Sequence, residues 1–253
     1  MRAPAMRLAL LADIHSNLEA LVAVLAHARG QGADGLAFLG DLVGYGADPE
    51  AVLLRVEEEA ARGAVVVQGN HDAAVLDPGV AVGMNPAALE AIAWTRARLG
   101  PRERAFLASL PLLSRRGDAT FVHGSAEAPA QFLYVTDPVR AERCLAASAT
   151  PWTFAGHVHE PVLYYTSAAD RPLPFRPVPG VAIPVPPRRR WLAIAGSVGQ
   201  PRDGRPAASY AVFDDERCTL TFHRVAYDWP SAASKVRAAG LPERLAERLE
   251  HGD

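Results

Sequence analysis

Arg7-Leu8-Ala9-Leu10-Leu11-Ala12-Asp13-Ile14-His15 is an apolar run that stops at an aspartate and a histidine. Its length and composition suit a buried strand. Ser16 or Asn17 can then cap a helix, in which Leu18, Leu21, Val22 and Leu25 recur at helical spacing before Gly30 closes the segment. The pattern repeats. Residues 36–39 read as a second buried strand ending at Gly40-Asp41, and Pro49 suits the first turn of a helix reaching about Arg62. Residues 64–68 read as a third strand ending at Gly69-Asn70. Strand, helix, strand, helix, strand predicts a parallel βαβ layer. Open α/β sheets carry their sites at the C-terminal ends of strands, where residues distant in sequence converge.

Further along, residues 86–99 and 102–109 read as helices outside that sheet. Residues 119–122 form a predicted strand ending in His123, Asp137-Pro138 opens a helix to about residue 148, and residues 153–155 lead as a strand into Gly156-His157. The proline-dense stretch 168–187 reads as an extended loop or irregular hairpin, a candidate flap carrying Arg171 and Arg176 towards the site. Residues 191–195, 209–213 and 219–225 read as antiparallel strands, and 231–250 as a charged, mostly helical tail. With no internal repeat and no domain boundary, the expectation is one domain over residues 1–253. Its simplest assembly is a two-sheet sandwich flanked by helices. Residues 1–5 read as a loose leader.

The bulk composition excludes several classes. The chain has 253 residues, 49% of them apolar, which is enough for a sizeable core. The formal charge of −2 offers no basic stripe of the kind a dedicated nucleic-acid binder carries. Cys144 and Cys218 are far apart and in no metal spacing, so both are expected to be reduced. No stretch approaches the roughly 20 apolar residues of a membrane span, and residues 8–12 are too short for a signal peptide. A cytoplasmic location is expected.

Five short motifs carry the chemistry: Asp13-Ile14-His15, Gly40-Asp41, Gly69-Asn70-His71-Asp72, His123-Gly124 and Gly156-His157-Val158-His159. Each alone has a bland reading. A loop aspartate is usually a turn residue, and a lone histidine usually packs in the core or sits on the surface. Jointly they supply two aspartates, one asparagine and four histidines, with His71 to spare. That set is too large for one ion and suits two. Carboxylate and amide oxygens mixed with imidazoles favour borderline first-row ions over calcium, magnesium or a thiolate zinc site. Two such ions roughly 3.5–4 Å apart form a clamp for in-line attack on phosphorus. Arg202 is a candidate contact for a second phosphate, or else an ion-pair partner of Asp203. Tyr45 and Tyr134 are candidate stacking surfaces for a base, or else packing residues.

The series resembles the calcineurin-like metallophosphoesterase family, whose pattern is D-x-H, G-D, G-N-H-[DE], H and G-H-x-H. The later Gly196-Ser197-Val198-Gly199-Gln200-Pro201-Arg202-Asp203 is similar to a segment of its compact bacterial branch, which includes small phosphodiesterases and diadenosine polyphosphate hydrolases. Ile194 stands where related sequences often carry Asn. The resemblance implies a four-layer α-β-β-α sandwich of two mixed sheets. It implies two divalent or trivalent ions, Mn or Fe foremost, with Zn, Ni or Co also suitable. Asp13, His15, Asp41 and His159 would hold one ion, and Asn70, His123, His157 and the shared Asp41 the other. His71 would assist the leaving oxygen, with Asp72 fixing its tautomer. The implied reaction is hydrolysis of a phosphate ester or anhydride by metal-activated hydroxide on a small-molecule, nucleotide-type substrate. A Ser/Thr protein phosphatase-like phosphomonoesterase is the alternative, and a non-catalytic scaffold for protein partners the remote one.

Overall fold

The structure is a computed structural model that describes residues 6–166 and 171–253. The leader expected at residues 1–5, and residues 168–170 of the proline-dense stretch, lie outside the described residues.

The first strand, β1 (Arg7–Leu11), leads through Asn17 into α1 (Leu18–Gly30). The Asn17 side chain accepts a hydrogen bond from Ala20 N and caps the helix. Then follow β2 (Gly35–Phe38), α2 (Pro49–Ala61) with proline in its first turn, and the two-residue β3 (Val65–Val66). Pairing of β1, β2 and β3 is parallel, as the alternation predicts. The short helix α3 (Asn70–Leu76) starts at the third motif. It is followed by α4 (Pro86–Arg98) and α5 (Pro101–Ser109), then β4 (Leu113–Arg116) and β5 (Ala119–Val122). Next come α6 (Pro138–Ser148), β6 (Trp152–Ala155), β7 (Pro161–Thr166), β8 (Pro172–Phe175) and β9 (Ala182–Pro184). The chain closes with β10 (Trp191–Ala195), β11 (Ala208–Asp214), β12 (Thr219–Val225), α7 (Trp229–Ala238) and α8 (Glu243–His251).

The strands form two mixed six-stranded sheets, ordered β3-β2-β1-β11-β12-β9 and β4-β5-β6-β10-β7-β8. Side-chain alternation divides each strand between two cores. Leu8 and Leu10 of β1 pack with Phe121, Phe154, Phe213 and Phe222 between the sheets. Ala9 and Leu11 face the other way, onto Leu21, Val24 and Val52 of α1 and α2. On the far side, Val122, Leu192 and Ile194 cover Cys144 and Leu145 of α6. The result is the helix–sheet–sheet–helix sandwich expected. Both cysteines are free thiols.

Two expectations need correction. The described part of the proline-dense stretch is not loop throughout. It contributes β8 to one sheet beside β7 and β9 to the other beside β12. Both are edge strands, where proline costs no ladder hydrogen bond. The strand at 191–195 does not join the other two late strands in an antiparallel group. β10 lies in the second sheet, parallel to β6 and antiparallel to β7. The C-terminal stretch is mostly helical, as expected, and forms a helical hairpin that turns at Gly240-Leu241-Pro242. Its apolar face, Ala233, Val236, Leu245 and Leu249, packs with Ala88 and Ala91 of α4 and against Tyr45. No described helix is long and apolar enough to cross a membrane.

Candidate metal centre

Asp13 and His15 leave β1, Asp41 leaves β2, and Asn70 and His71 leave β3. His123 leaves β5, and His157 and His159 leave β6. Strands from both sheets therefore end at one place. The backbone there is unusual. Asp13, His15, Ser16, Asp41, Tyr45, His157 and His159 all have positive φ, between 49° and 69°. Such left-handed non-glycine residues are uncommon and mark conformations that the surrounding structure imposes. Sequence gives little warning of them beyond the neighbouring glycines.

All six aspartate and histidine ligand candidates are buried, none more than 4% exposed. His15, His123 and His159 each point Nδ1 at a backbone carbonyl, of Val43 at 3.2 Å, Leu39 at 2.8 Å and Gln200 at 2.6 Å. Donation there fixes the tautomer and leaves Nε2 of neutral His15 and His159 as a bare lone pair; His123 offers one once it loses its second proton. These lone pairs converge. His15 Nε2 is 3.2 Å from His159 Nε2, which is 3.4 Å from Asp13 Oδ1. His123 Nε2 is 3.0 Å from Asn70 Oδ1, 3.0 Å from His157 Nδ1 and 3.3 Å from Asp41 Oδ2. Two of the close-set groups are Asp13, His15 and His159, and Asp41, His123 and His157. Buried acceptors facing acceptors are unfavourable unless a cation lies among them. The donor set thus fits the expected metal.

The protonation pattern also calls for positive charge. Burial holds His15 and His159 well below the usual imidazole range and His157 down at about 3, so all three are neutral ligands at pH 7. His123 is the exception: burial lowers it, but the Asp41 and Asp13 carboxylates prevail and raise it to about 9. Burial pushes Asp13 up to about 7. Asp41 goes the other way, because the surrounding histidines outweigh its burial.

His71 sits against the cluster, its ring centroid 4.8 Å from His15. Its Nδ1 is buried and unpartnered. Asp72 does not fix its tautomer, which corrects the sequence expectation. Asp72 Oδ1 accepts from Leu42 N and Val43 N, and Oδ2 accepts from Gly69 N. Its carboxylate is spent on backbone N–H groups of the Asp41 loop and the start of α3. Gly44 is what makes room for His71: its φ is +87°, and a Cβ there would lie 2.5 Å from His71 Nδ1.

The substrate candidates fare differently. Tyr45 is buried, its ring packed 4.6 Å from His15 and 4.5 Å from His71. Its faces are occupied by imidazoles, so it is not an open platform for a base. Tyr134 is 48% exposed and stacks on His157 at 3.7 Å with an 18° tilt. Arg202 does not pair with Asp203, which is taken by Arg224. Its guanidinium instead reaches Gln200 Oε1 at 2.9 Å and lies 5.8 Å from the Tyr45 ring. Arg176 lines a cleft of about 410 Å³ with Glu160, His223 and Arg224, and no ligand candidate borders that cleft. Sequence reading missed Ser197 and Gln200. Ser197 Oγ donates to Asp13 O and accepts from Gln200 N, tying two ligand loops together.

Strand-end imidazoles and carboxylates on a two-sheet sandwich define a metal-dependent phosphoesterase, a hydrolase of phosphoric ester bonds. The chain belongs to the calcineurin-like phosphoesterase superfamily, whose domain pattern matches residues 6–217. It is 37% identical to a metallophosphoesterase from Sphaerobacter thermophilus, with a TM-score of 0.87 over 98% of this chain and 100% of that one. An uncharacterized protein of Methanocaldococcus jannaschii is 32% identical over 246 residues, 96% of each chain. A hypothetical protein from Pyrococcus horikoshii OT3 shares the fold at 20% identity and a TM-score of 0.78, over 98% of each chain.

Proposed function

We propose that this phosphoesterase works with two ions and acts on nucleotide-type substrates, diadenosine polyphosphates or phosphodiesters. The observation that carries the two-ion reading is Asp41. Its Oδ1 accepts from His71 N at 2.8 Å, which leaves Oδ2 3.7 Å from His15 Nε2 and 3.3 Å from His123 Nε2. One oxygen thus serves both ligand groups. Asp13, His15, Asp41 and His159 would hold one ion, and Asp41, Asn70, His123 and His157 the other. Mixed oxygen and imidazole donors favour Mn or Fe, with Zn, Ni and Co also compatible.

When bound, the ions polarise the phosphoryl oxygens and lower the pKa of the attacking water. The chain supplies the rest. His71 sits at the edge of the cluster with a buried, unpartnered ring nitrogen. It is the group that hands a proton to the departing oxygen. Burial excludes water and strengthens each electrostatic contact. Arg202 carries a guanidinium on Gln200 that forms no ion pair among the described residues, and the outer face of Tyr134 is open to a base. Both favour a nucleotide polyphosphate over a phosphoprotein. The chain acts as a single domain in the cytoplasm on a small-molecule substrate.

The test is a hydrolysis screen with Mn²⁺ on diadenosine tetraphosphate, bis-p-nitrophenyl phosphate and a phosphopeptide. The nucleotide or the diester should be cleaved fastest. A phosphopeptide cleaved fastest would replace this reading with the protein phosphatase one.

A further inference from the structure

Two arginines from distant parts of the chain meet on one amide oxygen. Gln200 is 1% exposed, and its Oε1 accepts from Arg202 Nη2 at 2.9 Å and from Arg248 Nη1 at 3.5 Å. The carbonyl of the same residue holds ligand His159 at 2.6 Å. The arginine pair is therefore one residue removed from the metal ligands. A neutral amide oxygen cannot offset two guanidinium charges.

Among the described residues neither arginine forms an ion pair. Asp203 pairs with Arg224, and Glu243 and Glu250 pair with Arg237. Asp253 is close enough to be felt by Arg248 but forms no ion pair with it. Arg202 Nε is buried without a partner. Arg244 stands one turn before Arg248 on α8, where like charges four residues apart destabilise a helix. Partial burial, then the charges of Arg202 and Arg244, hold Arg248 below the usual guanidinium range. Packing of Arg202 on Gln200 and Tyr45 does not by itself neutralise the paired charges. An anion held between the two guanidinium groups would offset that charge.

We propose that Arg202 and Arg248 form a two-guanidinium clamp for a phosphate group adjacent to the one held by the metal cluster. The C-terminal helix α8 is then part of the substrate site, and the preferred substrate carries at least two linked phosphates. Planar guanidinium forks suit that task, since each can present paired N–H groups to phosphate oxygens. The inference rests on the reading that the metal cluster takes the reacting phosphate.

Calorimetric titration of the Mn²⁺-loaded protein with inorganic phosphate and with inorganic pyrophosphate tests it. Chelation of Mn²⁺ by pyrophosphate is common to all variants and cancels in ratios between them. Arg248→Ala should weaken pyrophosphate about tenfold or more and change phosphate by less than about twofold. Arg248→Lys, which keeps the charge but loses the fork, should fall between. Thermal melts check that the variants fold. Equal losses for both anions, or no loss for either, would overturn the clamp. If pyrophosphate binding responds as expected but nucleotide polyphosphates are not hydrolysed, the clamp stands and the nucleotide reading falls.

Discussion

His15 Nε2 and His159 Nε2 face each other at 3.2 Å, although 144 residues separate them in the chain. Both rings donate Nδ1–H to backbone carbonyls, so two lone pairs meet in a buried space. That contact is unfavourable without a cation, and the fold pays for it only because metal binding returns the energy. Chelation should therefore destabilise the protein. A ligand present at 100 times its dissociation constant adds about 2.7 kcal/mol. For a chain of this size that corresponds to about 5–10 °C in melting temperature. Thermal unfolding with and without EDTA, then with Mn²⁺ restored, measures it. An unchanged melting temperature would count against a structural cation here.

His71 and the ligands should separate in their phenotypes. His71→Asn should retain the metals and lower turnover about 10²–10⁴-fold, the usual scale for a general acid. Gly44→Ala, which drives a Cβ onto His71 Nδ1, should depress turnover in the same direction with metals retained. Metal content and kcat on the same preparations decide it. Loss of metal in His71→Asn would make His71 a ligand.

Asp72 should behave as a structural residue. Its carboxylate accepts three backbone N–H bonds from Gly69, Leu42 and Val43. Asp72→Asn leaves at least one of those donors unsatisfied, at about 1–3 kcal/mol of stability. Denaturant unfolding reads the loss. Unchanged stability with collapsed turnover would return Asp72 to the proton-transfer machinery.

Metal loading should release protons in a pH-dependent way. Burial opposes the charge on His123, but Asp41 and Asp13 hold it up to about 9. At pH 8 it is protonated in the metal-free protein and must lose that proton to become a ligand. Binding should then release about one proton from it. Release should fade as pH rises through 9, and affinity should rise with pH until that point. Titration calorimetry in buffers of different ionisation enthalpy gives the count. Proton uptake on binding would contradict the assignment.

The nucleotide reading makes its own demand on Arg202. Arg202→Lys keeps the charge but not the fork, so a polyphosphate should lose more affinity than p-nitrophenyl phosphate. Inhibition constants for both anion classes on wild type and variant compare them. Equal losses would point to a general electrostatic role.

The parallel strands β1, β2 and β3 were legible in the sequence, and the ligand candidates there coincide with the strand ends. Each of these apolar runs is short and ends in a glycine or an acid that opens a loop, whereas Ala119–Val122 runs directly into His123. What stayed hidden has physical reasons. β4 ends in two arginines, and β8 alternates proline with apolar residues, so neither carries a strand signature. They are the two edge strands of the second sheet, where such residues are tolerated. Asp72 was misassigned because motif adjacency suggests a contact with His71 that the start of α3 turns away. Arg248 reads as a solvated charge on a helix, and only the packing of α8 against Tyr45 brings it to Gln200.

Metal content of protein loaded with excess Mn²⁺, compared between wild type and Asp41→Asn, tests the two-ion centre most directly. Asp41 Oδ2 faces both ligand groups, so wild type should approach two ions per chain and the variant should lose affinity at both positions together. A ceiling of one ion per wild-type chain with activity intact, or loss of a single ion in the variant, would contradict it.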